Sequence, residues 1–260
     1  MRSTGVASER RTFLRHALGI PGLLATGAVG APEIVAAQIK PGSLKVVCVG
    51  AHPDDPESGC GGTLATYAAL GHRVTIVYLT RGERGIPGKS DADAAAIRTA
   101  EAETACGIIG AKPVFAGQID GSTEVTRERV NQVATILNTE APDVVFTHWP
   151  IDTHMDHEVA SLLTFRAYVA TNRRFPIYFF EVDAGAQTLG FAPAHYVDIT
   201  RLREKKKSAL FAHKSQNGER IYSEHHEVME NWRGREARVA ASEAFVLLPS
   251  ARGADQLPGT

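Results

Sequence analysis

The stretch that most limits how this chain can fold is residues 46–64, VVCVGAHPDDPESGCGGTL. An apolar run over residues 46–49 ends abruptly. It is followed by His52, Asp54, Asp55 and Glu57, then by Gly59, Gly61 and Gly62, then by a helix-forming run over residues 63–70. A short apolar run bounded by turn residues is the pattern of a fully buried parallel strand. Open α/β sheets bind ligands outside the carboxyl ends of their strands, so His52, Asp54 and Asp55 are expected at the mouth of a site. An imidazole and a carboxylate three positions on can share a divalent ion, and zinc accepts N and O ligands. A neighbouring carboxylate that does not bind the ion can serve as general base to a water. Pro53-Asp54-Asp55-Pro56 is also good turn chemistry, and this packet alone leaves both readings open.

A second packet lies about a hundred residues on, where His154-Met155-Asp156-His157 follows the apolar run at residues 144–146. Two imidazoles and an acid after a second strand end favour the metal reading, because both packets fall at the same edge of a parallel sheet. His154 and His157 are three apart and share a face once a helix starts. Asp152 reads as a local cap. His148, directly off the strand beside Trp149, reads as a structural histidine.

AHPDD followed by GCGGTLA and a distal HxDH resembles the PIG-L/LmbE-like zinc-dependent N-deacetylases, over residues 44–248. That family includes deacetylases of mycothiol, bacillithiol and glycosylphosphatidylinositol synthesis. The resemblance implies His52, Asp55 and His157 as ligands of Zn2+, and Asp54 as general base. It implies His154 as the second acid or the stabiliser of the tetrahedral intermediate, with Asp156 orienting and tuning it. Fe2+, Co2+ or Mn2+ suit the same N/O donor set. The family pattern carries Glu directly after the second Asp; here Pro56 stands there, with Glu57 one later. The resemblance also places Arg81 where the family binds substrate. An Ala-His-x-Ser-Gln segment makes His213 and Gln216 further candidates for substrate contact.

Strand-like and helix-like segments alternate along the chain. Strands are expected over residues 44–50, 74–80, 113–116, 143–147, 177–182, 195–199 and 243–248, and helices over 61–70, 91–106, 126–138, 158–172, 201–212 and 224–238. Alternation of this kind argues a single α/β domain, a Rossmann-like, mostly parallel sheet flanked by helices. A length of 260 residues suits one such core. The glycines do not complete GxGxxG, because position 64 is Leu, and no GxxxxGK[ST] loop occurs, which argues against a nucleotide-dependent oxidoreductase. A formal net charge of -1 gives no basic stripe of the kind a nucleic-acid partner requires. Cys48, Cys60 and Cys106 read as free, small apolar residues, with a Cys48–Cys60 disulfide as the alternative.

Residues 1–37 read as an address: Arg10-Arg11-Thr12-Phe13-Leu14, a Gly/Ala-rich stretch and Val35-Ala36-Ala37 resemble a twin-arginine (Tat) export signal. The expected location is periplasmic or extracellular, with residues 38–260 as the deacetylase domain. Pro21, Pro32 and several glycines make the stretch a poor membrane span. The loop over residues 81–88 falls at the active edge and is expected to touch substrate; a plain exposed loop is the alternative for Arg81. Lys205, Lys206 and Lys207 read as a mostly solvated face; His225-His226-Glu227 could bind metal, but on a helix the run points its residues to different faces, which favours surface. Together these readings describe an exported hydrolase that removes an N-acyl group, expected to be acetyl, from a small amino sugar or glycoconjugate. Two other readings stay open: an amidase acting on another amide such as an S-conjugate, and a non-catalytic exported sugar-binding protein.

Overall fold

The structure, a computed structural model, describes residues 42–172 and 175–249. The export segment expected over residues 1–37 lies outside the described residues. In chain order the elements are β1 (Lys45–Gly50), α1 (Asp55–Ala69), β2 (Arg73–Tyr78), α2 (Asp91–Ile109), β3 (Ala111–Phe115), α3 (Arg127–Glu140), β4 (Val144–His148), α4 (Met155–Ala170), β5 (Ile177–Phe180), β6 (His195–Asp198), α5 (Arg203–Phe211), α6 (Gly218–Ile221), α7 (Glu227–Ala237) and β7 (Ser242–Leu247). A π-helical turn, Tyr222–His226, joins α6 to α7.

The strands form one sheet in the order β3-β2-β1-β4-β5-β7-β6. β1 to β5 pair in parallel, and β7 runs antiparallel to both β5 and β6. The alternation expected from the sequence is therefore realised, and the antiparallel part is confined to the end of the sheet. Side chains alternate across a strand. Val46 and Cys48 pack with Leu64, Tyr67, Ala102, Ile109 and Ala209 on one face, under α1, α2 and α5. Val47 and Val49 pack with Val133, Leu137, Leu163 and Ala167 on the other, under α3 and α4. The chain winds outward from β1 in both directions, so the gap between the ends of β1 and β4 is the topological switch point.

Helix α1 starts earlier than residue 61 because Asp55 already begins its first turn, with Pro56 in a position where a missing N–H costs nothing. Cys60 breaks the helical dihedrals at φ -145°, ψ 18°. The glycines around it serve packing rather than phosphate binding: a Cβ on Gly59 would stand 2.3 Å from Phe180 Cδ2. The three cysteines are free and buried, and Cys48 Sγ lies 3.4 Å from Cys60 Sγ. Among the described residues no helix is long and apolar enough to cross a membrane.

The triple lysine is not a uniformly solvated face. Lys206 is only 1% exposed, with Nζ 2.8 Å from Glu230 Oε1 and 2.7 Å from Glu243 Oε1. Glu243 in turn accepts the N–H groups of Gly62 and Thr63, which ties β7 to α1. Removing one partner of a buried ion pair leaves the other uncompensated, at a cost of about 3–5 kcal/mol. Lys206→Ala should therefore lose about that much stability in urea titration, while Lys205→Ala changes it by less than about 0.5 kcal/mol. Equal, small losses for both would show that the buried cluster is not held together by this charge.

Candidate active site

The two sequence packets meet at the switch point. After β1, the chain turns through residues 51–54 with Asp54 at φ 113°, a conformation rare for a residue with a side chain. Three contacts hold this turn. The His52 N–H donates to Asp55 Oδ2 at 2.7 Å, the Ser58 N–H donates to Asp54 O at 2.8 Å, and Arg98 donates to Pro53 O. Arg98 comes from α2, is 3% exposed, and also lies 3.2 Å from Asp54 Oδ2. It fits only because the loop after β2 passes over it as backbone: a Cβ on Gly82 or Gly85 would stand 2.2 or 2.3 Å from its Nη1. Arg98 falls within the helix expected over residues 91–106 with nothing there to mark it as a site residue; the glycine spacing after β2 is the signal for it.

After β4, His154 caps α4, and His157 falls in its first turn. Asp55 lies between the two packets. Its Oδ2 is 3.1 Å from His52 Nδ1, and its Oδ1 is 3.3 Å from His157 Nε2. Ligand atoms about 2.0–2.2 Å from a tetrahedral zinc stand about 3.3 Å apart, so these spacings suit a shared ion. The outer nitrogens agree. His52 Nε2 is 3.1 Å from Asp156 Oδ2, and His157 Nδ1 is 3.2 Å from Asp152 Oδ1. A carboxylate behind each imidazole keeps the proton on the outer nitrogen and leaves the inner lone pair for a metal.

Electrostatics follow from this packing. Burial by itself would lower the pKa of His157, but Asp55 and Asp152 outweigh it and raise it to about 9. Burial also opposes the charge on His52, and Asp55, Asp120 and Asp156 overcome it, so its pKa stands well above the usual histidine value. Burial would raise Asp55, but His157 and His52 hold it well below the carboxylate range. Asp54 is pushed the other way, to about 6, by burial and by Asp55, against the pull of Arg98.

His148 is closer to the site than the sequence indicated. Its ring stacks on His157 at 4.2 Å and its Nε2 is 3.4 Å from Asp55 Oδ2. That nitrogen accepts the Ala51 N–H at 3.1 Å, so its lone pair is engaged. Burial and the neighbouring His157 lower its pKa to about 4, so the ring stays neutral and serves as a brace. His154 Nδ1 accepts the Asp156 N–H at 3.3 Å, which puts the proton of the neutral ring on Nε2. Burial, followed by the charges on His52 and His157, lowers its pKa.

A cavity of about 380 Å³ opens over these groups, lined among others by His52, Asp54, Asp55, Arg98, His154 and His157. Four expectations need correction. Asp156 was expected to orient His154; its carboxylate instead meets His52, the Gly121 N–H at 2.7 Å and the Thr123 hydroxyl, because the loop at residues 120–123 closes over it. Arg81 does not line the cavity: its guanidinium lies 5.1 Å over the Phe115 ring, while Arg84, past the turn at Gly82, reaches the cavity. His213 is fully buried beneath the site, with Nε2 3.3 Å from Glu57 Oε1. Of the pair expected at the surface, His226 is buried and His225 only partly exposed, and both line the cavity. Gln216 is where the sequence placed it, lining the cavity with its Nε2 bonded to Gly85 O at 3.0 Å. Sequence reasoning missed Asp120, whose Oδ1 is 3.3 Å from His52 Nε2.

The class of protein defined here is a mostly parallel α/β fold that gathers imidazoles on a shared carboxylate at its switch point, a group able to hold a metal ion. The chain belongs to the PIG-L family, whose GlcNAc-PI de-N-acetylase model matches residues 47–168. The diacetylchitobiose deacetylase of Thermococcus kodakarensis is 31% identical over 194 residues, covering 68% of this chain and 72% of that protein. The N,N'-diacetylchitobiose deacetylase of Pyrococcus horikoshii superposes with a TM-score of 0.70 at 26% identity, covering 79% of this chain and 84% of that one. The 4-carboxy-2-hydroxymuconate hydratase of Pseudomonas putida, at 21% identity, shares the fold with a TM-score of 0.71, covering 81% of this chain and 99% of that one.

With no ion bound, His157 carries a proton up to about pH 9, and His52 is also held protonated. An ion must displace those protons. Zinc affinity should therefore rise with pH up to about 9, by about tenfold per unit for each proton displaced. Calorimetry in buffers of different ionisation enthalpy should show at least one proton released per ion at pH 7. Zinc binding with no proton release would contradict this charge arrangement.

Proposed function

We propose that the protein is a metal-dependent hydrolase that removes the N-acetyl group from a small amino sugar. The observation that carries this reading is the pairing of a carboxylate–imidazole ion site with a second, separate carboxylate, Asp54, on the same cavity wall. Two relatives named for diacetylchitobiose deacetylation support the substrate class. His52, Asp55 and His157 would hold the ion, for which zinc is the best match to the N/O donor set. A bound divalent ion acidifies water and polarises an amide carbonyl.

The remaining steps belong to the chain's own side chains. Asp54 takes the proton of the attacking water, a task suited to a carboxylate pushed up to about 6. Arg98 fixes the Asp54 carboxylate and keeps it turned toward the cavity. His154, with its proton on Nε2, donates to the oxygen on which charge develops. The protonated Asp54, or His154, then returns a proton to the leaving amine. Asp156 and Asp152 act through His52 and His157, holding each ring in the tautomer that leaves its inner nitrogen free.

The same reading includes export by the twin-arginine route, carried by Arg10-Arg11-Thr12-Phe13-Leu14. Changing both Arg10→Lys and Arg11→Lys should keep the protein in the cytoplasm on cell fractionation; unchanged export would remove this part of the proposal.

Acetate release from N,N'-diacetylchitobiose by the purified chain, stripped of metal and then given one equivalent of zinc, tests the activity. Asp54→Ala should keep its zinc and lose about 10²–10⁴-fold in kcat, the range typical of an acid–base group. His157→Ala should lose zinc. Equal zinc loss in both variants would overturn the division of roles, and zinc-loaded protein without acetate release would overturn the substrate assignment.

A further inference from the structure

The cavity has a second wall that the chemistry above does not use. It is built by residues 182–187, just after β5, and by the π-helical turn Tyr222–His226. Val182, Asp183, Gln187, Ile221, His225 and His226 line it. His225 Nδ1 lies 2.9 Å from Asp183 Oδ1, and both side chains are only partly exposed, at 38% and 23%. Two local departures from regular backbone hold this pair at the cavity. Asp183 has φ 43°, a left-handed conformation uncommon for a residue with a side chain. Its carbonyl accepts the N–H groups of Ala186 and Gln187, which fixes the turn. The wider π turn rotates His225 and His226 so that adjacent residues both reach the cavity, an arrangement often found at functional sites.

A carboxylate only accepts, so the His225 nitrogen held against it carries the proton. The pair places a carboxylate oxygen, Asp183 Oδ2, and the second ring nitrogen of His225 side by side at the cavity wall. A carboxylate oxygen accepts and an imidazole nitrogen accepts or donates, and adjacent hydroxyl groups can satisfy both. Building on the amino-sugar reading above, we infer that the His225–Asp183 pair is the specificity subsite of this cavity, recognising a pair of hydroxyl groups on the sugar. The metal wall handles the acetamido group, and this wall selects what carries it.

The test compares N,N'-diacetylchitobiose with N-acetylethanolamine, an amide that lacks the ring, in the zinc-loaded chain. Asp183→Asn keeps a side chain that tolerates the left-handed backbone but turns an acceptor oxygen into a donor amide. His225→Ala removes the ring. For both variants the ratio of kcat/KM on the disaccharide to that on N-acetylethanolamine should fall about ten- to a hundred-fold, through KM of the disaccharide, as expected for lost hydrogen bonds at a site that contains a carboxylate. An unchanged ratio in both variants overturns the subsite. If the unmodified chain releases no acetate from the disaccharide, the activity reading fails first, and calorimetric binding of the disaccharide decides the subsite. Weaker binding by about tenfold in Asp183→Asn supports it, while equal or absent binding in the unmodified chain overturns it.

Discussion

One buried guanidinium holds the site together. The chain must turn from β1 into α1 within four residues, and it does so by placing Asp54 at φ 113°. Backbone held in such a region costs on the order of 1–3 kcal/mol and persists only where its surroundings enforce it. Arg98 supplies that enforcement, bonding the Pro53 carbonyl and the Asp54 carboxylate from a fully packed position on α2. A lysine could not span both acceptors with the same planar fork. The consequence reaches back into the sequence: the loop after β2 carries glycine at 82 and 85 because any side chain there would occupy the volume of Arg98.

The second constraint is charge. Asp55 is surrounded by three imidazoles, and two of these have a further carboxylate behind them. Without an ion, protons must fill the inner contacts, which is why His52 and His157 are pushed up and Asp55 is pushed down. An ion serves the same electrostatic purpose with a fixed geometry. His148 fits this account as the one imidazole that burial keeps neutral, its lone pair taken by the Ala51 N–H. It adds bulk and rigidity beside Asp55 without adding a competing charge.

Those parts of the molecule determined locally were legible in the sequence. Buried parallel strands show as apolar runs, their ends show as polar packets, and two such packets on adjacent strands converge because β1 and β4 pair directly. The ligand candidates His52, Asp55 and His157 and the whole strand–helix alternation belong to this class. What escaped depends on partners far along the chain. Lys206 looks solvated beside Lys205 and Lys207, and only Glu230 and Glu243 reveal why it is buried. Asp156 sits two residues from His154, yet the loop at residues 120–123 draws its carboxylate toward His52. Arg81 and Arg84 differ by a single turn at Gly82, φ 67°, which sends one onto Phe115 and the other to the cavity. His225 was hidden by helical periodicity, because a π turn does not keep the 3.6-residue repeat on which that reading relied.

The two cavity walls rest on different parts of the sheet. The metal wall hangs from β1 and β4, parallel strands buried on both faces and covered by helices. The facing wall hangs from the end of β5 and from the segment between α6 and α7, at the boundary where the sheet turns antiparallel. A change in the second wall therefore leaves the candidate ion ligands and their supporting carboxylates on separate elements, although the loop after β5 is tied to residues 151–153, where Thr188 bonds Asp152 Oδ2 at 3.0 Å and the Thr153 N–H donates to Gln187 O at 3.0 Å. These contacts join the two walls: Asp152 stands behind His157, and Thr188 closes the loop that presents Asp183. The hydratase that shares this fold shows that the sheet does not dictate the reaction. What distinguishes the two neighbouring carboxylates here is placement: Asp54 stands on the cavity wall outside the cluster of imidazoles, while Asp55 lies within it.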